Sequence, residues 1–182
     1  MYGTLWFIAG YSKSGKTTVG DLLTNIIKGH HTTFAKAVKD EVATAYGIER
    51  TLLETQTGKA ATYACGKTGR QLLIEHAAAE KERTENPAYW AVKVGDEIAA
   101  ASPDTDWILS DWRYKAEIAY LRHRFSERRV VTIHIERPGN TPSSSPSEHE
   151  LDDESFDYNI LNSGSLLYLG AQVQHIVWES NM

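Results

Sequence analysis

The sequence predicts an α/β fold in which a five-stranded parallel sheet lies between two layers of helices. Three observations carry that prediction. Short apolar runs of strand length alternate with longer stretches of helical periodicity along the chain. The first apolar run passes through a glycine-bounded loop directly into an amphipathic stretch, the order of a strand–loop–helix unit. No internal repeat is present, and strands alternating with helices pair in parallel with both faces covered. At 182 residues the chain is long enough for one domain with a full core, residues 1–182, and short for two.

In chain order, residues 4–9 hold Leu5, Trp6, Phe7 and Ile8 between Gly3 and Gly10, which reads as a buried strand. Val19, Leu22, Leu23, Ile26 and Ile27 then recur at helical spacing, and Gly29 stands where a C-terminal cap belongs. Residues 32–34 read as a weak second strand and 35–46 as a helix closed by Gly47. Residues 48–66 carry a short helix and a loop. Strong helix formers run from 67 to 83 and stop before Asn86-Pro87. The next helix, 87–101, sets Trp90, Ala91, Val94 and Ile98 on one face. After the Ser102-Pro103-Asp104 turn, 107–110 is a strand that ends at Asp111, and 115–125 is a helix. Residues 130–136 alternate Val130, Thr132 and His134 with Val131, Ile133 and Ile135, a strand. Residues 138–147 hold three prolines, a glycine and four serines, and form a loop. A last strand at 156–161 and a closing helix at 165–179 complete the chain.

The formal net charge of −5 argues against a nucleic-acid binder, which would show a basic face. Any bound phosphate must then be held by a few placed cations. No apolar stretch reaches membrane-spanning length and no leader pattern opens the chain, so the expected place is the cytoplasm. The one cysteine, Cys65, cannot form an internal disulfide and reads as a small half-buried residue. The seven histidines show no metal-ligand spacing.

Gly10-Tyr-Ser-Lys-Ser-Gly15-Lys16-Thr17 fits the pattern G-x-x-x-x-G-K-[ST] at every position, between a buried strand and an amphipathic helix. Its glycines let successive N–H groups face one anion, and the following helix adds the positive end of its dipole. This predicts the three-layer α/β/α fold of P-loop NTPases, with ATP and Mg2+ as ligands. Gly10, Lys13, Ser14 and Gly15 would line the triphosphate, with Lys16, Thr17 and Thr18 at the helix start. Lys16 would reach the β- and γ-phosphates and the Thr17 hydroxyl would ligate Mg2+. Lys13 reads equally well as a solvated surface lysine.

Asp111, after the strand at 107–110, either joins Thr17 as a magnesium ligand or caps a helix. Arg113 stands two residues on, at the carboxyl ends of the strands, where ligands bind. The helical region 48–101 is an insertion that could wall off an acceptor, for which Arg70 and Lys36 are candidate phosphate contacts, with Lys39 pointing the same way. Trp90 could stack on a base, although its spacing favours the core. No N-K-x-D segment of a GTPase is present.

The segments GYSKSGKTT, FAKAVKDEVATAYGI, GRQLLIEHAAAEKERTENPAYW, WILSDWRYKAEIAYLR, IHIERP and SEHELDDESFDYNILNSGS occur in that order. Together they resemble the deoxynucleoside monophosphate kinases of bacteriophages and related viruses, over roughly residues 4–180. The resemblance implies transfer of the ATP γ-phosphoryl group to a deoxynucleoside monophosphate in the host cytoplasm. It places Lys16, Arg70, Asp111 and Arg113 at the reacting groups, Lys36 near the acceptor, and Arg137 at the start of a lid over 137–150. Animal phosphomevalonate kinase shares the same motifs, so a non-nucleotide monophosphate stays open as acceptor. A regulatory P-loop module and a homodimer stay open as well. Unlike adenylate-kinase-type lids, the segment after Arg137 has no further Arg or Lys through Glu150.

Overall fold

In the computed structural model, which describes residues 2–141, 146–180 and 182, the apolar run near the start of the chain is the middle strand of the sheet. This strand, β1 (Leu5–Ala9), is buried along its whole length. β2 (His30–Thr32), β3 (Trp107–Leu109), β4 (Val130–Glu136) and β5 (Tyr158–Leu161) complete the sheet in the order β2-β3-β1-β4-β5. Every pairing is parallel; Leu5 lies level with Trp107 on one side and Val130 on the other.

The helices are α1 (Lys16–Ile27), α2 (Phe34–Tyr46), α3 (Gln56–Ala60), α4 (Gly69–Arg83), α5 (Tyr89–Ala100), α6 (Lys115–Arg124), α7 (Pro146–His149) and α8 (Leu166–Ser180). A 3-10 turn at Arg50–Glu54 precedes α3. Strand alternation sorts the core into two sides. Leu5 and Phe7 meet Val38, Leu72, Trp90, Val94 and Leu121 from α2, α4, α5 and α6. Trp6 and Ile8 meet Val19, Leu23, Leu169 and Val173 from α1 and α8. The expected three layers and five parallel strands are therefore present. No described helix is long and apolar enough to cross a membrane.

Several boundaries differ from the sequence reading, each for a local reason. The second strand is His30–Thr32 rather than 32–34, because the Phe34 and Ala35 N–H groups bond to the Asp111 carboxylate and start α2. α4 starts at Gly69 instead of 67: Thr68 caps it by accepting from the Gln71 N–H, and the Gln71 side chain accepts from the Thr68 N–H. α5 starts at Tyr89 because the Asn86 side chain accepts from the Ala88 N–H and holds a turn over Pro87. β5 starts at Tyr158 because Asp157 is engaged sideways with Thr132. In the loop expected at 138–147, α7 begins at Pro146, and residues 142–145 of that loop lie outside the described residues. Cys65 is exposed, not half-buried.

At the amino-terminal rim of the sheet, the buried Arg128 guanidinium donates to the carbonyls of Gly3 (3.2 Å) and Thr105 (2.8 Å). The Asp106 carboxylate accepts from the Thr4 N–H at 2.6 Å. These contacts join the segments that lead into β1, β3 and β4. Gly3 fits there because a Cβ would lie 2.2 Å from the Thr105 carbonyl oxygen.

Candidate phosphate-binding site

The loop between β1 and α1 turns on three residues in the left-handed region, Gly10 (φ 138°), Lys13 (φ 66°) and Gly15 (φ 110°). A Cβ on Gly10 would come within 2.4 Å of the Ile135 carbonyl oxygen, so this glycine lets the loop rest on β4. α1 begins at Lys16, and the exposed Thr17 and Thr18 side chains sit in its first turn. Lys13 is exposed. The Lys16 side chain is buried, and its ammonium donates to the carbonyls of Gly10 (2.6 Å) and Tyr11 (2.8 Å). Burial, and next the Arg113 guanidinium, push its pKa down to about 8. The Ser14 hydroxyl is buried inside the loop without a hydrogen-bond partner. A glycine-turned loop with a desolvated lysine and an unpaired hydroxyl suits a phosphate group.

The turn after β3 forms the facing wall. Trp112 is buried edge-on against Phe7 (5.7 Å) and Phe156 (5.6 Å), which anchors the turn. Arg113 beside it pairs with Glu148 of α7 at 2.5 Å. The other oxygen of Glu148 accepts from the Ser12 N–H at 2.8 Å. Two further contacts tie Asn140 and Asp152 to the loop: Asn140 donates to the Ser12 carbonyl (2.6 Å), and the Tyr11 hydroxyl donates to Asp152 (2.9 Å). Arg137 is exposed at the end of β4 and lines a cleft of about 500 Å³ with Ser14, Asn140 and Asn159. That volume falls in the usual range for small-molecule sites.

Both carboxylate oxygens of Asp111, the expected magnesium ligand, are engaged with backbone. Its Oδ1 accepts from the Phe34 N–H at 2.8 Å and its Oδ2 from the Ala35 N–H at 2.9 Å. It is a cap, for α2 and not for the helix that follows it. Burial raises its carboxyl above the usual range, although the two N–H groups, Arg113 and Lys39 pull the other way. Glu117 lies buried beneath the same turn and accepts from the N–H groups of Arg113 (3.2 Å) and Tyr114 (3.1 Å). Burial, with the Asp111 carboxylate next, pushes Glu117 up to about 7. Among the described residues no group of three or more His, Cys, Asp or Glu could hold a metal ion. Thr17 is the predicted metal residue whose side chain remains open.

Among the residues expected to contact an acceptor, Arg70 is exposed in the first turn of α4 and donates to Gln56 at 3.0 Å. The half-buried Lys59 is beside it; burial first, then Lys39, with Arg70 and Arg50 adding, lower its pKa. Lys36 is turned elsewhere: it pairs with Glu97 of α5 at 2.6 Å. Trp90 cannot serve as a stacking platform. It is 2% exposed, and its indole N–H donates to the Ala77 carbonyl. Spacing with Val94 and Ile98 correctly marked it as core.

Sequence reasoning assigned no role to Glu148, Asn162, Glu117 or Lys59. Glu148 and Asn162 stood out only as parts of the segment SEHELDDESFDYNILNSGS, and the contacts that reveal their places span 136 and 148 positions.

No protein-family model and no curated protein matches the sequence. Solved structures do resemble the fold. A Thermus thermophilus protein aligns with a TM-score of 0.54 at 14% identity, covering 100% of both chains. A candidate kinase of Chloroflexus aurantiacus aligns at TM-score 0.50 and 9% identity over 96% of this chain and 98% of its own. Shikimate kinase of Aquifex aeolicus stands at 0.48 and 14% identity, with 98% and 96% covered, too distant to bear on the fold. With the parallel order β2-β3-β1-β4-β5 and the loop between β1 and α1, the chain has the three-layer α/β/α fold of P-loop NTPases.

Proposed function

We propose that the protein is an ATP-dependent kinase of a small phosphate-bearing acceptor, and that the acceptor is a deoxynucleoside monophosphate. The observation that carries this reading is the convergence of Lys16 and Arg113. One comes from the helix after β1 and the other from the turn after β3. They lie close enough for Arg113 to depress the lysine pKa, with the Glu148 carboxylate bonded between Arg113 and the loop. Two cations held together against their mutual repulsion suit a group that carries several negative charges, such as a phosphoryl group in transfer.

In the reaction, an acceptor phosphate oxygen attacks the γ-phosphorus in line and the bond to the β–γ bridging oxygen breaks. ADP and the deoxynucleoside diphosphate form, and no protein nucleophile is needed. Lys16 and the loop N–H groups hold the β- and γ-phosphates, and Arg113 neutralises charge on the transferring group. Arg70, with Lys59 and Lys39 nearby, supplies positive charge for the acceptor phosphate. Thr17 would hold Mg2+, which would supply further charge neutralisation. Arg137, Asn140 and Ser14 border the cleft offered to the donor nucleoside. Closure of the segment after β4 keeps water from the γ-phosphate.

The test is ADP formation from Mg-ATP with each deoxynucleoside and ribonucleoside monophosphate, and with phosphomevalonate. Acceptor-dependent ADP with a deoxynucleotide is the expected result. A response to phosphomevalonate alone would keep the kinase and replace its acceptor. A slow rate indifferent to acceptor would point to a regulatory ATP-binding module.

A further inference from the structure

Glu148 stands where an anion is wanted. One carboxylate oxygen accepts from the Ser12 N–H of the phosphate loop at 2.8 Å, and the other pairs with Arg113 at 2.5 Å. Its side chain is 4% exposed. Burial alone would raise the carboxyl; the Ser12 N–H, Arg113 and Lys16 outweigh it and hold the group below its ordinary range. The space left beside it, bordered by Gly10, Arg113 and Asp152, is about 20 Å³. That admits a water molecule and excludes a phosphoryl group. The carrier of Glu148 is a single helical turn, α7, held to the loop by the Tyr11–Asp152 bond. Short elements of this kind can leave without disturbing the sheet.

We propose that Glu148 is an internal phosphate surrogate: its carboxylate fills the seat of a phosphoryl group between the Ser12 N–H and Arg113, and a phosphoryl-bearing ligand must displace it to bind. The inference rests on the kinase reading of the same loop and adds a resting state to it. Displacement exchanges one anion for another on the same cations, so Arg113 and Lys16 stay neutralised throughout. Binding by the unmodified protein is then weakened by whatever holds Glu148 in place.

The experiment is titration calorimetry on the full chain, with inorganic tripolyphosphate and the β,γ-imido analogue of ATP, each with Mg2+. The proteins are wild type, Glu148→Gln and Glu148→Ala. Glu148→Gln keeps the size of the side chain and serves if the alanine variant folds poorly. Both variants should bind both probes about tenfold more tightly than wild type, a difference of about 1.4 kcal/mol. Adding Arg113→Met to Glu148→Ala should abolish the gain. Wild-type binding that the Glu148 variants leave unchanged or weaken overturns the surrogate and leaves the phosphate loop standing. A gain that survives Arg113→Met overturns it too, since the seat would lie elsewhere. No binding by any of the proteins overturns the phosphate-loop reading and this inference with it.

Discussion

The Asn162 side-chain amide donates to the Ser14 carbonyl at 2.8 Å, which ties the turn after β5 to the phosphate loop. Gly15 lies against the same amide, and a Cβ there would approach it to 2.6 Å. The loop is thus braced from β4 at Gly10 and from β5 at Gly15. Asn162→Ala should lower ATP affinity roughly fivefold and the unfolding free energy by about 1 kcal/mol, the usual worth of one such bond. Calorimetry and a urea melt measure the two. A loss of stability with unchanged affinity would make the bond a plain structural tie.

Lys16 is disfavoured in its charged form by burial and by Arg113. A bound phosphate reverses that preference. Nucleotide binding should therefore take up a proton between about pH 8 and 10, and affinity should fall as pH rises through about 8. Calorimetry in buffers of different ionisation enthalpy reads the proton uptake directly. Lys16→Met should lose phosphoryl transfer by at least about 100-fold yet melt no lower than wild type at pH 7, because it removes a buried charge.

Glu117 titrates at about 7 in the folded protein, raised from an ordinary 4.5. The folded state thus binds more protons than the unfolded state between those values. The stability this contributes is present below pH 4.5 and is lost as pH rises through 7. Glu117→Gln should stabilise the fold at pH 8 by an amount on the order of 2–3 kcal/mol, and by less at pH 5.5. Urea unfolding at the two pH values tests this. Equal effects at both would place the shift elsewhere, with Asp111 the neighbouring candidate.

Asp111→Ala removes the acceptor for two N–H groups at the start of α2. The expected cost is about 2–3 kcal/mol of stability, with Asp111→Asn costing less because one acceptor oxygen remains. Magnesium dependence of nucleotide binding should survive in Asp111→Asn. Stability unchanged and magnesium dependence lost would return Asp111 to the metal shell.

Much of the fold was legible because its signals are local. The loop pattern from Gly10 to Thr17 is contiguous and sits between a strand and a helix that each declare themselves. The alternation from Val130 to Glu136 gave a strand with the bounds found. The second strand was placed two residues late, at 32–34, because two histidines and a threonine at the sheet edge carry no apolar signal. The site was legible only in part. Arg113 announced itself by its place after a strand, but its pairing with Glu148 joins segments 35 positions apart. Lys36 and Lys39 look alike in sequence, and only the packing of α2 sends one to Glu97 and the other to Glu54 near Lys59.

Arg128 gathers the entrances of β1, β3 and β4 with a single buried cation bonded to two carbonyls. A sheet stitched along one margin behaves as a cantilever. Strain from a ligand at the free margin bends the loops there and is not relieved by sliding one strand past another. The register that sets Gly10 against β4 should therefore persist when a ligand binds. Amide protons of β1 and β4 should be the slowest in the molecule to exchange with solvent, whatever occupies the mouth.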